Sequence, residues 1–229
     1  TPEVIGSALR ALLVPLKVAH FDDPALYQRL GCVYETRGKR EARAPYPRER
    51  VHDLDAADGD LALEVDCVVI GTGAGGAVVA RELAEAGVAV VMIEEGRYFE
   101  RHDFTGRPFA MQQQMYRAGG ATFSVGNVAI PIPIGVTVGG TTTVNSGTCY
   151  RAPAHVLAHW RDDLGVRGFS TEELAPHYER VERVLGVAPT AAALLGGCAR
   201  VVARGCDALG FRHAPLLRNA PDCDGQGVC

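Results

Sequence analysis

The sequence predicts a protein of the α/β class, built on a mostly parallel sheet with helices on its faces. Two short runs of apolar, largely β-branched residues, 65–70 and 88–93, are typical of strands buried on both faces. A glycine-rich turn, GTGAGG at 71–76, directly follows the first run, and a segment with helical spacing, 77–87, leads to the second. Together they form a β-α-β unit of about 30 residues.

Three glycines of the turn have the spacing of a dinucleotide-binding loop. Gly71 permits the tight turn, Gly73 leaves room for a pyrophosphate, and Gly76 lets the helix approach the strand. The helix N-terminus offers N–H groups and a positive dipole end to phosphates. Glu94, at the end of the second strand, can accept hydrogen bonds from ribose hydroxyls and disfavours a 2′-phosphate. This unit predicts a dinucleotide site for FAD or NAD, and it disfavours NADP.

A second glycine cluster lies in an uncharged run between Arg117 and Arg151. Its prolines, glycines and threonines make it a poor transmembrane helix, so we expect buried, irregular backbone. Gly139 and Gly140 supply flexible backbone, and hydroxyl and amide side chains follow them. Charges would be costly against a flat, polar ring, whereas backbone N–H groups and the amide of Asn145 could donate to it. The cluster therefore favours a flavin.

The segments VVIGTGAGGAVVARELAEAGVAVVMIEEG and GVTVGGTTTVNSG together resemble the N-terminal FAD-binding part of the glucose-methanol-choline (GMC) oxidoreductases. The family's first signature resembles G-[KR]-x-L-G-G-[ST]-[ST]-x-x-N-G. Val136 replaces its basic residue and Ser146 its last glycine. The residues that match it are Gly135, Gly139, Gly140, Thr141, Thr142 and Asn145.

The resemblance covers residues 65–229 and is nearest to long-chain alcohol oxidases and related bacterial alcohol and sterol dehydrogenases. It implies a Rossmann-like, three-layer FAD-binding domain and FAD as the cofactor. The implied residues on the pyrophosphate and adenosine side are Gly71, Thr72, Gly73, Ala74, Gly76 and Glu94. Those on the flavin side are Gly139, Gly140, Thr141, Asn145, Ser146 and Thr148.

In the family, an alcohol loses its hydroxyl proton to a His base and a hydride to flavin N5. That base and its partner lie in a later part of the family's chain, and none of the seven histidines here matches them. The sequence thus predicts an alcohol as substrate, long-chain or sterol-like among the candidates, and assigns no catalytic residue. The chain starts without Met and stops in a Gly-rich turn, so we expect it to be a piece of a longer protein.

Two other functions remain open at this point. An NAD-dependent dehydrogenase would account for the β-α-β unit but would leave 135–148 unexplained. A truncated, non-catalytic dinucleotide-binding module would account for the lack of a base. Nucleic acid is disfavoured as a partner because the net charge is −4 and phosphate binding needs a basic face.

The cysteines and histidines predict no metal site. His155 and His159 have the i, i+4 spacing of a zinc-protease helix, but no Glu follows the first His. The seven cysteines form no C-x-x-C pair, and Cys223 and Cys229 have the wrong spacing for a zinc knuckle, although a structural role is open to them. Reduced cysteines are typical of a cytoplasmic protein. Small, buried positions are predicted for Cys67, Cys198 and Cys206.

The flanking regions predict helices. Residues 1–60 form a predicted N-terminal helical arm and linker, and residues 61–229 the predicted FAD-binding domain. The arm includes DDPALYQRLG, with an Asp cap, and an amphipathic segment ALRALLVPLKVAH, for which packing on its own domain is favoured over a membrane surface. Ser170 and Glu173 predict a capping box. A single helix is predicted over 191–209, with an apolar stripe of Leu194, Cys198, Val201, Val202 and Leu209.

Overall fold

The computed structural model describes residues 20–31, 50–56, 59–100 and 103–220, with the isolated residues 6, 13, 16, 17 and 223. The chain divides into two compact units, Thr1–Val144 and Asn145–Cys229. Most of the predicted amphipathic segment, the basic arm at 34–49, and Cys229 lie outside the described residues. The predicted domain boundary near residue 60 stays a prediction.

The first unit begins with the short helix α1, Pro24–Arg29, as its Asp cap predicts. The Asp23 carboxylate accepts a hydrogen bond from the Ala25 N–H at 2.9 Å, which satisfies an amide that has no partner inside the helix. Gly31, at φ +71°, follows the end of the helix. The Arg107 guanidinium donates to the Asp22 carboxylate at 2.7 Å, which ties α1 to a later segment of the same unit.

The predicted β-α-β unit is confirmed and places the chain in the α/β class. Strand β1, Cys67–Ile70, pairs in parallel with β2, Val90–Ile93, and the helix α2, Ala74–Glu85, connects them. The helix begins three residues earlier than predicted, because Gly73 has extended backbone and serves as its N-cap. Gly75 and Gly76 therefore belong to the first turn of α2.

The prediction that β1 is buried on both faces is wrong. Its side chains alternate: Cys67 and Val69 are half-buried, whereas Val68 is 51% and Ile70 87% exposed. The helix α2 lies on the Val69 face, where a Cβ added to Gly76 would be 3.3 Å from Val69 Cγ1. Within the described residues this sheet has two strands.

The uncharged run is buried only in part. After α3, Pro108–Met115, and a 3-10 turn at Arg117–Gly120, residues 122–132 form an exposed hairpin in which Phe123 bridges Pro131. Val125 at its tip is fully exposed, which contradicts the prediction of a buried segment. Burial begins at Gly135 and is complete at Thr137, where backbone from two other segments pairs with the run.

Among its described residues the second unit contains three α-helices and one short pair of strands. The helices are α4, Ala154–Asp162, α5, Thr171–Leu185, and α6, Gly197–Leu209; β3, Ala188–Pro189, pairs antiparallel with β4, Leu217–Arg218. The capping box at Ser170 and Glu173 is confirmed, with both reciprocal hydrogen bonds present. Gly186, in the left-handed conformation, ends α5.

The single helix predicted over 191–209 is wrong. A 3-10 turn, Ala192–Leu194, is separated from α6 by extended backbone at Leu195 and Gly196, so Leu194 does not share the stripe. Within the described part of the chain α6 buries no side chain, so Cys198 is exposed rather than buried. Cys67 and Cys206 are half-buried.

No helix among the described residues combines the length and the apolar composition that crossing a bilayer requires.

Candidate cofactor site

The loop between β1 and α2 has the geometry that its glycines predict. Gly71, at φ +92°, makes the turn, and its N–H donates to the Ile93 carbonyl at 2.7 Å. A Cβ on Gly76 would lie 2.0 Å from the Gly71 carbonyl oxygen, so only glycine permits this approach of helix to loop. A Cβ on Gly73 would meet no protein atom within 4 Å, so the backbone there borders open space.

Glu94 organises this loop. Its Oε2 accepts from the Thr72 N–H at 2.9 Å and the Thr72 hydroxyl at 2.6 Å, and its Oε1 accepts from the Gly96 N–H at 3.0 Å. Burial of the carboxylate raises its pKa, but the hydrogen bonds from Thr72 and Gly96 outweigh burial, so the pKa of Glu94 lies below its usual value. The carboxylate is therefore held ionised.

The second glycine cluster packs directly on the first. Gly139 and Gly140 both have positive φ, +95° and +58°, and the Gly139 N–H donates to Thr72 Oγ1 at 2.8 Å. A Cβ on Gly140 would lie 2.9 Å from Gly73 Cα, which shows how closely the two loops approach. Thr141 Oγ1 accepts from the Gly135 N–H at 3.2 Å and so braces the turn from within.

The backbone just before this turn is fixed from two sides. Residue 137 bridges Arg97 in parallel and residue 135 bridges Tyr116 in antiparallel fashion. The Thr137 side chain is fully buried, and a Cβ on Gly96 would lie 2.2 Å from Thr137 N. Gly96 and Thr137 were missed by sequence reasoning, since the approach of residue 96 to residue 137 has no local pattern. The only available signal was a glycine two residues after Glu94.

Three predicted residues, Asn145, Ser146 and Thr148, lie in the second unit. Asn145 Oδ1 accepts from the Ser146 N–H at 2.7 Å, and the Ser146 hydroxyl donates to Thr148 Oγ1 at 3.1 Å. Residue 148 bridges Arg218, whose guanidinium donates to the Ser146 carbonyl at 2.7 Å. Asn145 and Ser146 are exposed.

His155 and His159, the pair with i, i+4 spacing, both lie on α4. His159 Nδ1 lies 2.5 Å from the Asp163 carboxylate on the surface of α4. Within the described residues no three His, Cys, Asp or Glu side chains come together as a metal site would require.

The loop geometry fits the pyrophosphate of a dinucleotide. Gly73 borders open space, and as the N-cap of α2 it supplies no side-chain acceptor to the first amides of the helix. Those amides and the helix dipole favour an anion at this end of the helix. The fold and the loop are thus those typical of dinucleotide-binding proteins of the α/β class.

Comparison with known proteins defines the family. The sequence model described as GMC oxidoreductase matches residues 112–229. An uncharacterised GMC-type oxidoreductase of Mycobacterium tuberculosis is 39% identical over 83% of this chain and 30% of its own. A long-chain-alcohol oxidase of Arabidopsis thaliana is 32% identical over 76% of this chain and 23% of its own. The chain therefore belongs to the GMC oxidoreductase family, and the predicted resemblance to long-chain alcohol oxidases is confirmed.

A solved structure shares the fold. Pyridoxine 4-oxidase from Mesorbium loti superposes with a TM-score of 0.52 over 69% of this chain and 37% of its own, at 20% identity. The chain spans less than a third of the length of the two relatives described above.

Proposed function

We propose that the protein is an FAD-dependent oxidoreductase that oxidises the CH–OH group of an alcohol, and that this chain supplies FAD-binding residues. The observation that carries the proposal is the hydrogen bond from Gly139 to Thr72, across 67 residues of sequence. It joins a dinucleotide loop to the glycine cluster that matches the GMC signature. An NAD-dependent dehydrogenase would need the first of these clusters and would give the second no role.

The chain's own residues would bind and orient the cofactor. The amides at the start of α2 would hold the pyrophosphate, with Gly73 giving it room, and Glu94 would accept a hydrogen bond from the adenosine ribose. Gly139, Gly140 and Thr141 would present backbone to the flavin side, and the roles of Asn145, Ser146 and Thr148 on that side stay predictions. The bound flavin would supply the hydride acceptor.

The substrate class is proposed as a small-molecule alcohol. Long-chain-alcohol oxidases and a cholesterol oxidase are among the relatives, with 32% and 30% identity over parts of this chain. A long-chain or sterol-like alcohol is therefore the first class to assay. We assign the proton-accepting group to none of the described histidines.

The test is cofactor titration of the purified protein after removal of any bound flavin. We expect a saturable change in flavin fluorescence with FAD and no saturable change in nicotinamide fluorescence with NADH. Saturable NADH binding without FAD binding would overturn the proposal. Absence of activity on every alcohol, with FAD bound, would instead favour the non-catalytic module.

A matched pair of variants tests where the pyrophosphate lies. Gly73→Ala puts a methyl group into the open space at the loop, in backbone of φ −63° and ψ −177° that alanine adopts freely. We expect a rise in the Kd for FAD of roughly tenfold or more, because the added carbon obstructs the phosphates. Gly75→Ala, two residues on and equally free of contacts, is the control and leaves the Kd within about twofold. Equal affinities for both variants would contradict this placement.

A further inference from the structure

We propose that Thr72 is a positioning residue for the cofactor: its hydroxyl holds Glu94 and Gly139 in one arrangement and donates no hydrogen bond to FAD. The inference rests on the proposed function for its link to FAD. Its structural half, the coupling of the two loops, stands on the hydrogen bonds alone. It changes the role implied for Thr72 by resemblance, which was direct contact with the cofactor.

Both hydrogen-bond donors of Thr72 already donate to Glu94. The backbone N–H and the side-chain O–H both point to Glu94 Oε2, at 2.9 and 2.6 Å. A threonine has one backbone N–H and one hydroxyl proton, so neither remains for a phosphate or ribose oxygen. To donate to FAD, Thr72 would have to give up a charge-assisted hydrogen bond to a carboxylate, which is among the stronger hydrogen bonds in proteins.

The direction of the hydrogen bonds at the Thr72 hydroxyl is fixed. Its single proton is donated to Glu94, and a lone pair accepts the Gly139 N–H at 2.8 Å. The chain of bonds runs from Gly139 through Thr72 to the carboxylate. Because the carboxylate is ionised, it polarises the hydroxyl and strengthens the bond from Gly139.

The bond to Gly139 ties the second loop to the first. Gly139 and Gly140 both have positive φ, and Gly140 lies so close to Gly73 that an added Cβ would be 2.9 Å from Gly73 Cα. Glycine backbone has many alternative conformations, so a turn of two glycines needs an external partner to stay in one of them. Thr72 provides that partner, and it does so beside the residue where the loop opens for the pyrophosphate.

The Thr72 hydroxyl also orients the Glu94 carboxylate, which would accept a hydrogen bond from the ribose. The Glu94 carboxylate accepts from the Thr72 N–H, the Thr72 hydroxyl and the Gly96 N–H, and the Glu95 backbone adds a further hydrogen bond. These bonds hold the carboxylate in one orientation, from which it would accept a ribose hydroxyl. If the Thr72 hydroxyl is lost, Glu94 gains rotational freedom, and the acceptor is no longer held in one direction.

The experiment compares Thr72→Val with Thr72→Ser. Valine has nearly the shape of threonine without the hydroxyl, whereas serine keeps the hydroxyl and loses the methyl group. The first measurement is made without cofactor: amide hydrogen exchange at Gly139, by nuclear magnetic resonance or in a peptide that spans the turn. We expect exchange at Gly139 to accelerate about tenfold or more in Thr72→Val and to stay within about threefold of the parent in Thr72→Ser.

The second measurement is the Kd for FAD. We expect it to rise roughly tenfold in Thr72→Val and to be restored by Thr72→Ser, since the hydroxyl and not the methyl group does the positioning. Unchanged exchange at Gly139 in Thr72→Val would overturn the inference. An equal loss of FAD affinity in both variants would also overturn it.

The two proposals fail in different ways. If the parent protein binds no FAD, the proposed function fails, while the exchange experiment still decides whether Thr72 couples the loops. If the parent binds FAD and Thr72→Val binds it equally well, only the positioning role fails. Should Thr72→Val not fold, as judged by circular dichroism, Thr72→Ser still tests the inference, because faster exchange at Gly139 or weaker FAD binding in that variant would overturn it.

Discussion

At the scale of single residues, Glu94 connects more of the site than any sequence pattern indicates. Its two oxygens fix the backbone of Thr72 and of Gly96, and through the Thr72 hydroxyl they reach Gly139. Gly96 in turn lies against Thr137. The carboxylate predicted as a ribose acceptor thus also stabilises the two loops beside it.

Stability should depend on pH through Glu94. Because its pKa is lowered in the folded chain, the unfolded chain binds the proton more readily. The contribution is fully present above the ordinary value of 4.5 and is lost as pH falls through the lowered pKa. Urea unfolding of the parent and of Glu94→Gln at pH 7 and below 4 checks this. The stability difference between them should shrink in acid, and a constant difference contradicts it.

Alanine substitutions at two neighbouring glycines, Gly75 and Gly76, should change the free energy of unfolding in opposite directions. A Cβ on Gly76 would collide with the Gly71 carbonyl oxygen, so Gly76→Ala should lower the free energy of unfolding by roughly 1–3 kcal/mol. Gly75 is in the same helical turn and has no such contact, so Gly75→Ala should raise it by up to about 1 kcal/mol. Denaturant unfolding measures both, and a stable Gly76→Ala would show that α2 can move away from β1.

At the scale of elements, the local sequence determined where helices begin better than where they are interrupted. Asp23 caps α1 and Ser170 caps α5 as predicted, because capping is a property of adjacent residues. The break between Leu194 and Gly197 was not predicted, since the apolar spacing continues through it. Neither the composition nor the apolar periodicity of the sequence indicates the extended backbone at Leu195.

The capping box of α5 offers a direct test at this scale. Ser170→Ala removes the acceptor of the Glu173 N–H and should lower the free energy of unfolding by about 1 kcal/mol. Ser170→Asp retains a side-chain oxygen at the cap and adds a charge that favours the helix dipole, so it should be neutral or slightly stabilising. Urea unfolding followed by circular dichroism measures both, and equal losses would show that the cap is replaced by water.

At the scale of the whole molecule, the glycine motifs predicted the class of fold and the dinucleotide loop, because both depend on short, contiguous patterns. Three-dimensional contacts between distant segments were outside the reach of sequence reasoning. The closeness of Gly96 and Thr137, and the bond between Thr72 and Gly139, are of this kind. The prediction of a buried uncharged run failed at the hairpin of residues 122–132, since lack of charge does not specify which neighbours cover a segment.

Cofactor binding should be visible in the stability of the whole chain. A ligand that binds only the folded state stabilises it by RT ln(1 + [L]/Kd), about 2.7 kcal/mol at a hundredfold excess over Kd. We therefore expect FAD to raise the thermal midpoint, measured by circular dichroism, and NAD at the same concentration to leave it unchanged.

Gly73→Ala is the control, because its loop should remain folded while the pyrophosphate is obstructed. A rise with NAD and none with FAD would identify the nicotinamide dinucleotide as the ligand. An equal rise with FAD in Gly73→Ala would mean that the pyrophosphate is held away from the amides of α2, and the open space beside Gly73 would then have no part in binding.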